Sequence, residues 1–145
     1  KRAPGRSGVG TTLAGNAMGV AAIGAMLREV MHEGAYAHML AGAERLASGL
    51  RDAIARTGQP WCVVNVGARA EIIFAPTPPQ NAEAMRLALA QTELNHAIHL
   101  YLINRGLLIA PFHMMMLVSP STTNDQINRL VAAIEDFAAE VQTSA

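Results

Sequence analysis

The sequence predicts an α/β protein of the α+β kind, with long helices first and then a small, largely antiparallel sheet covered by helices. Three observations predict it. Apolar residues recur at helical spacing through residues 16–57, short β-branched runs bounded by Gly and Pro follow at 61–74 and 107–118, and a capping signal at Thr123 opens a last helical pattern. Helices laid over one face of the sheet is the natural arrangement for that order.

Each element has its own signal. Residues 1–10 read as loop. Asn16 is a natural N-cap, and the helix behind it runs from about 16 to 32, stopping before Gly34. Its stretch from Ala17 to Leu27 is rich in small residues (Ala17, Gly19, Ala21, Ala22, Gly24, Ala25), so it is crowded on several sides. A second helix spans about 35–57, with Tyr36, Leu40, Ala43, Leu46, Ala47, Leu50 and Ile54 at helical spacing, and Gly58 and Pro60 end it. Trp61–Val66 and Ala70–Phe74 read as one bent strand or two, interrupted at Gly67 and closed by Pro76, Pro78 and Pro79. Residues 82–91 are helical but ambiguous. The helix over 92–104 is clearer, with Thr92 as its cap and Gly106 as its end. Leu107–Ala110 and Met114–Val118 read as two further strands, stopped by Pro111 and Pro120. Gln126 stands three residues after Thr123, the spacing of a capping box, and Ile127, Leu130, Val131, Ile134, Phe137, Ala138 and Val141 form the buried face of the final helix.

Composition bounds the function classes. A chain of 145 residues suits one domain, or one domain and a fragment of another, and buries roughly 70% of its unfolded surface. Hydrophobic residues make up 51% and charged residues only 15%, so part of the surface is expected to lie against another chain or domain. Net charge is zero with no basic stripe, which gives no footprint for nucleic acid. The single Cys62 excludes an internal disulfide framework, as expected of a cytoplasmic protein. The longest apolar run, Ala17–Leu27, is too short to span a membrane. Lys1 and Arg2 lead into Pro, Gly and Ser rather than an apolar signal core, and without an initiator Met the sequence looks like the middle of a longer chain.

The stretch from Val9 to Asn16 carries the chemistry. Its glycines let the backbone approach a ligand closely, and threonine hydroxyls beside a helix start can hold an anion. It is not a P-loop: Gly10 and Gly15 have the spacing, but Asn16 stands where the lysine belongs. It is not a dinucleotide fingerprint either, since no apolar strand precedes Gly8 and Gly10. Thr12-Leu13-Ala14-Gly15-Asn16, followed by an Ala-rich helix, resembles the G-T-x-x-G-N-P segment of class III pyridoxal-phosphate aminotransferases and glutamate-1-semialdehyde aminomutases, with Ala17 in place of the proline. Three later segments match in order. Val66-Gly67 before a strand ending at Phe74 is similar to V-G-S-x-F, and Asn104-Arg105-Gly106-Leu107-Leu108-Ile109-Ala110-Pro111 is similar to N-R-G-[V/L]-x-[L/I]-A-P. Ser119 with Thr123 and Ile127 resembles S-x-x-H-T-x-x-D-I, although Ser121, Thr122 and Gln126 differ.

The resemblance implies a fold-type I homodimer with active sites at the subunit interface, of which residues 1–33 would close the large cofactor-binding domain and 34–145 form the small C-terminal domain. It implies that Thr12, with Thr11 beside it, reaches the phosphate of the other subunit's pyridoxal 5′-phosphate. The lysine that forms the Schiff base lies several tens of residues upstream in the family. Lys1, the sole lysine, is too close to Asn16 to be that residue, and the aspartate that pairs with the pyridine nitrogen is also missing. The chain alone is therefore expected to be inactive, with no catalytic residue of its own. Aminomutases carry S-x-F-E after A-P. Phe112-His113-Met114 follows Pro111 here, so the glutamate is absent, which favours an aminotransferase acting on an amino donor and an oxo acid or aldehyde over an aminomutase-like isomerase.

Two substrate residues are read from their chemistry, not from the resemblance. Arg69, just after Gly67-Ala68, would hold a substrate carboxylate through a bidentate pair; the alternative is a strand arginine pairing with Glu71. His113 would line the pocket mouth, or be a loop histidine without a role. The Met114–Met116 run reads as core or pocket wall.

Two rival functions have their own signals. Glu29-x-x-His32 and Glu93-x-x-His96, with His99 one turn on, fit the spacing of carboxylate-bridged metal helices, but the strand-like middle of the chain breaks a four-helix bundle, and no metal is expected. A non-catalytic α/β module that dimerises through the small-residue helix is the other.

Overall fold

The computed structural model describes residues 15–110 and 114–143. Their order is α1 (Ala17–Glu29), α2 (Glu33–Thr57), β1 (Cys62–Val66), β2 (Arg69–Ile73), α3 (Ala82–Leu89), α4 (Thr92–Ile103), β3 (Met114–Leu117) and α5 (Asn124–Thr143). The three strands form one antiparallel sheet in the order β1-β2-β3.

The central element is α2. Met39, Ala43, Leu46, Ala47, Leu50 and Ile54 make a buried stripe along it at helical spacing. Gly58 ends it in the left-handed region at φ 66°, where its N–H donates to Ala55. The stripe packs most extensively on α5 and also covers the sheet. Ala70 and Ile72 of β2 and Met114 and Met116 of β3 face it, and join Ile98 and Leu102 of α4 and Ile134 and Phe137 of α5 in one core. Strand alternation then places Arg69, Glu71, Met115 and Leu117 on the opposite face. The β1–β2 hairpin turns at Gly67, whose φ of 58° suits glycine.

The capping box at the start of α5 forms as its spacing predicts. Thr123 N–H donates to Gln126 Oε1 at 2.9 Å, and Gln126 N–H donates to Thr123 Oγ1 at 3.2 Å. α5 is held to α4 through Tyr101, which stacks edge-on against Phe137 and donates to Glu140 Oε1 at 2.8 Å.

Three expectations are corrected. α1 stops at Glu29, because His32 is taken as the N-cap of α2, its Nδ1 accepting from Ala35 N–H. Thr92 lies inside α4, whose cap position is Gln91 with no side-chain bond. Residues 107–110 are not a ladder strand. Gly106, at φ 72°, closes α4, Leu107 N–H returns to Leu102 O at 2.9 Å, and the chain then passes beside the core without joining the sheet. The helices also reach beyond one face: Met85, Ala88 and Leu89 of α3 and Asn95 of α4 gather with Glu71 and Ile73 around a cavity of about 10 Å³.

Candidate functional site

The open end of the sheet's second face carries the one described member of the expected site, Arg69. Register sets Val66, Arg69 and Leu117 side by side across the three strands, with Val64, Glu71 and Met115 in the next row. α3 reaches only the Ile73 end, so Val66 and Leu117 are 72% and 68% exposed while Glu71 is 8% exposed. The result is an apolar floor with one guanidinium at its centre.

The Nη2 of Arg69 lies 3.7 Å from Glu71 Oε2. That is an ion pair beyond good hydrogen-bond distance, so the pairing with Glu71 is real and leaves the guanidinium fork able to meet a second carboxylate. Other arginines are held more firmly. Arg56 makes a bidentate contact with Glu135 at 2.6 and 2.7 Å, Arg86 does the same with Glu83, Arg45 donates to Asn128, and Arg105 lies over the ring of Tyr101. Cys62 also faces this side of the sheet. Burial pushes its thiol above the ordinary value, the opposite of an activated nucleophile.

Thr11, Thr12 and His113 lie outside the described residues. What is described of the turn is its exit. Asn16 Oδ1 accepts from Gly19 N–H at 2.8 Å and caps α1, and among the described residues nothing stands within 4 Å of where a β-carbon on Gly15 would be. The Glu-x-x-His pairs do not converge: among the described residues no three His, Cys, Asp or Glu side chains could hold a metal ion. No described helix is long and apolar enough to cross a membrane.

Glu71 was legible only as the alternative partner of Arg69. Its burial follows from the placement of α3, which no local pattern announces. A larger cavity, about 240 Å³, opens between residues 106–109, the end of β3 and the start of α5, with Thr122, Gln126 and Arg129 at its polar side.

No family model matches the chain. Among curated proteins it is 32% identical over 123 residues to glutamate-1-semialdehyde 2,1-aminomutase 2 of Brevibacillus brevis, covering 84% of this chain and 28% of that protein. It is 33% identical over 132 residues to the aminomutase of Desulfosudis oleivorans, covering 90% and 30%. The chain thus spans about 30% of the length of the curated relatives it matches. Among solved structures, a glutamate-1-semialdehyde aminomutase of Pseudomonas aeruginosa in complex with PMP superposes with a TM-score of 0.83 at 37% identity, over 94% of this chain and 31% of that one. A β-phenylalanine aminotransferase of Variovorax paradoxus shares the fold, with a TM-score of 0.80 at 23% identity over 96% and 32%. The described architecture, five helices around a three-stranded antiparallel sheet, is that of the matching part of fold-type I enzymes. The relatives of the chain are glutamate-1-semialdehyde aminomutases and pyridoxal-phosphate-dependent class III aminotransferases, and it matches a C-terminal fragment of about 30% of their length.

Proposed function

We propose that the chain is the C-terminal part of a pyridoxal-phosphate-dependent class III aminotransferase that moves an amino group between an amino donor and an oxo acid or aldehyde. The observation that carries the class of chemistry is the 37% identity, over 94% of the chain, to a solved aminomutase in complex with PMP. The choice of transferase rests on Phe112-His113-Met114, which lacks the glutamate expected of an aminomutase there.

In this reading residues 1–33 end the large domain and 34–145 form the small one. The protein is a cytoplasmic homodimer whose active site is shared across the interface. Thr12 and Thr11 donate to the phosphate of the other subunit's cofactor, and the cap at Asn16 fixes where their turn meets α1. When bound, the cofactor supplies the electron sink for amino transfer. Arg69 orients the substrate by its carboxylate above the apolar floor of Val66 and Leu117, and His113 stands at the pocket mouth. The 145 residues alone lack the cofactor lysine and are inactive.

An aminomutase-like isomerase is the second reading, favoured by curated relatives at 30–33% identity that are glutamate-1-semialdehyde aminomutases. The full-length protein separates the two. A transferase turns over only when donor and acceptor are both supplied, whereas an isomerase consumes glutamate-1-semialdehyde alone. A full-length protein with no cofactor absorbance band and no turnover of either kind is the result expected of a non-catalytic dimerisation module, and it would overturn the enzyme reading.

A further inference from the structure

The cavity of about 240 Å³ beside the start of α5 is apolar within and one-sided at its rim. Leu46, Met116 and Ile127 of its wall are buried, and Leu107, Ile109 and Leu130 are half-buried against the core. Among the described residues that line it, Arg129 is the one charged group, and no carboxylate stands with it. The Arg129 guanidinium has no ion pair or hydrogen bond among the described residues, and Asp125, one turn back on the same helix, does not reach it. The polar side chains nearby have their acceptors engaged. Gln126 Oε1 accepts from Thr123 N–H at 2.9 Å, and Thr122 Oγ1 accepts from Ser119 N–H at 2.9 Å. What the rim still offers is donors, the amide N–H groups of Gln126 and the fork of Arg129.

We propose that this cavity binds an aliphatic monocarboxylate of about six to eight carbons, its chain against Leu46, Leu107, Ile109 and Ile127 and its carboxylate on Arg129 and the Gln126 amide. Size sets the length. An apolar cavity of about 150 Å³ takes up benzene, so one of about 240 Å³ has room for roughly eight to ten heavy atoms. Charge sets the head group. A guanidinium meets a carboxylate through two parallel N–H···O bonds, an alcohol leaves its charge unmatched, and an ammonium is repelled. The apolar wall sets the tail, because a polar chain would lose its water there without gaining partners.

The test titrates octanoate, 1-octanol and octylamine into the full-length protein and follows the methyl resonances of Leu107, Ile109 and Ile127. Octanoate is expected to shift these methyls with one site per chain and a Kd on the order of 0.1–1 mM, and the other two probes to bind about tenfold more weakly or worse. Arg129→Gln, a change on an exposed helix face, is expected to weaken octanoate about tenfold or more while leaving octanol where it was. Three results overturn the proposal. Octanoate that leaves these methyls unmoved means the hollow is closed or filled by other polypeptide. Equal affinity for octanoate and octanol removes the carboxylate from the site. An Arg129→Gln protein that binds octanoate as well as the parent removes Arg129. None of these readouts uses the cofactor band, so the outcome stands apart from the enzyme reading.

Discussion

A β-carbon on Gly42 would stand 2.9 Å from Cγ1 of Val118. Gly42 sits in the middle of α2, and Val118 is a buried residue that continues β3, with its N–H donating to Ala68 O. The helix reaches the end of the sheet only because this position has no side chain. Gly42→Ala gains up to about 1 kcal/mol of helix propensity and loses about 1–3 kcal/mol to overpacking. Net destabilisation of about 1–2 kcal/mol is expected, read as a lower urea midpoint at unchanged slope. Gly24→Ala is the control, because the nearest described atoms to its β-carbon would be the movable tip of Arg28, at 3.2 Å, and stabilisation of up to about 1 kcal/mol is expected there.

Acid weakens the α2–α5 contact through Glu135. The hydrogen bonds from Arg56 hold its carboxyl below the ordinary value of 4.5. A carboxyl with a depressed folded-state pKa contributes stability that is fully present above the unfolded value and is lost as pH falls through the folded one. Stability should therefore decline as pH drops below about 4.5, and Glu135→Gln should flatten that decline while leaving a residue of it from Glu83, which Arg86 holds down in the same way. Denaturant titrations between neutral and acid pH measure both slopes, and parallel curves would contradict the assignment.

Arg69 is tested in the full-length enzyme. Arg69→Ala should raise KM for a carboxylate-bearing substrate about 10–100-fold, the loss of one charged contact worth about 1.5–3 kcal/mol. KM for an amine without a carboxylate should stay where it was. An equal change for both substrates would mean that Arg69 serves the sheet and its neighbour Glu71, not the substrate.

Thr12→Ala should weaken cofactor binding by about 1.5–3 kcal/mol, a comparable 10–100-fold rise in the cofactor's dissociation constant. The free-cofactor titration of the apoprotein reads it directly. Unchanged affinity would remove Thr12 from the phosphate site.

Most helices and strands could be read locally because each carries its signal within its own residues. α2 shows its stripe and its Gly58 stop, α5 its Thr123–Gln126 box, and the hairpin its Gly67. Errors arose where a residue's role is set from elsewhere. His32 is drawn off to cap α2, and Leu107–Ala110 have strand character without a strand partner among the described residues. The site was less legible than the fold. Arg69 could be named from its charge in an apolar strand, yet its two possible partners, Glu71 and a substrate, share one chemistry. Only the packing of α3 shows that Glu71 is buried beside it and that Val66 and Leu117 are left bare.

α1 has no buried residue, and Met18, Val20, Ile23, Met26, Leu27 and Val30 all stand exposed. A helix that hides nothing uncovers almost nothing when it melts. Its unfolding in the 145-residue chain should therefore be broad and shallow in denaturant, since the slope of a urea transition scales with newly exposed surface. Far-ultraviolet ellipticity should drift from low urea as α1 frays, while Trp61 fluorescence, set in the core, stays flat until α2 and α5 part. The two signals would trace a thirteen-residue outrigger and a hull that come apart on separate terms.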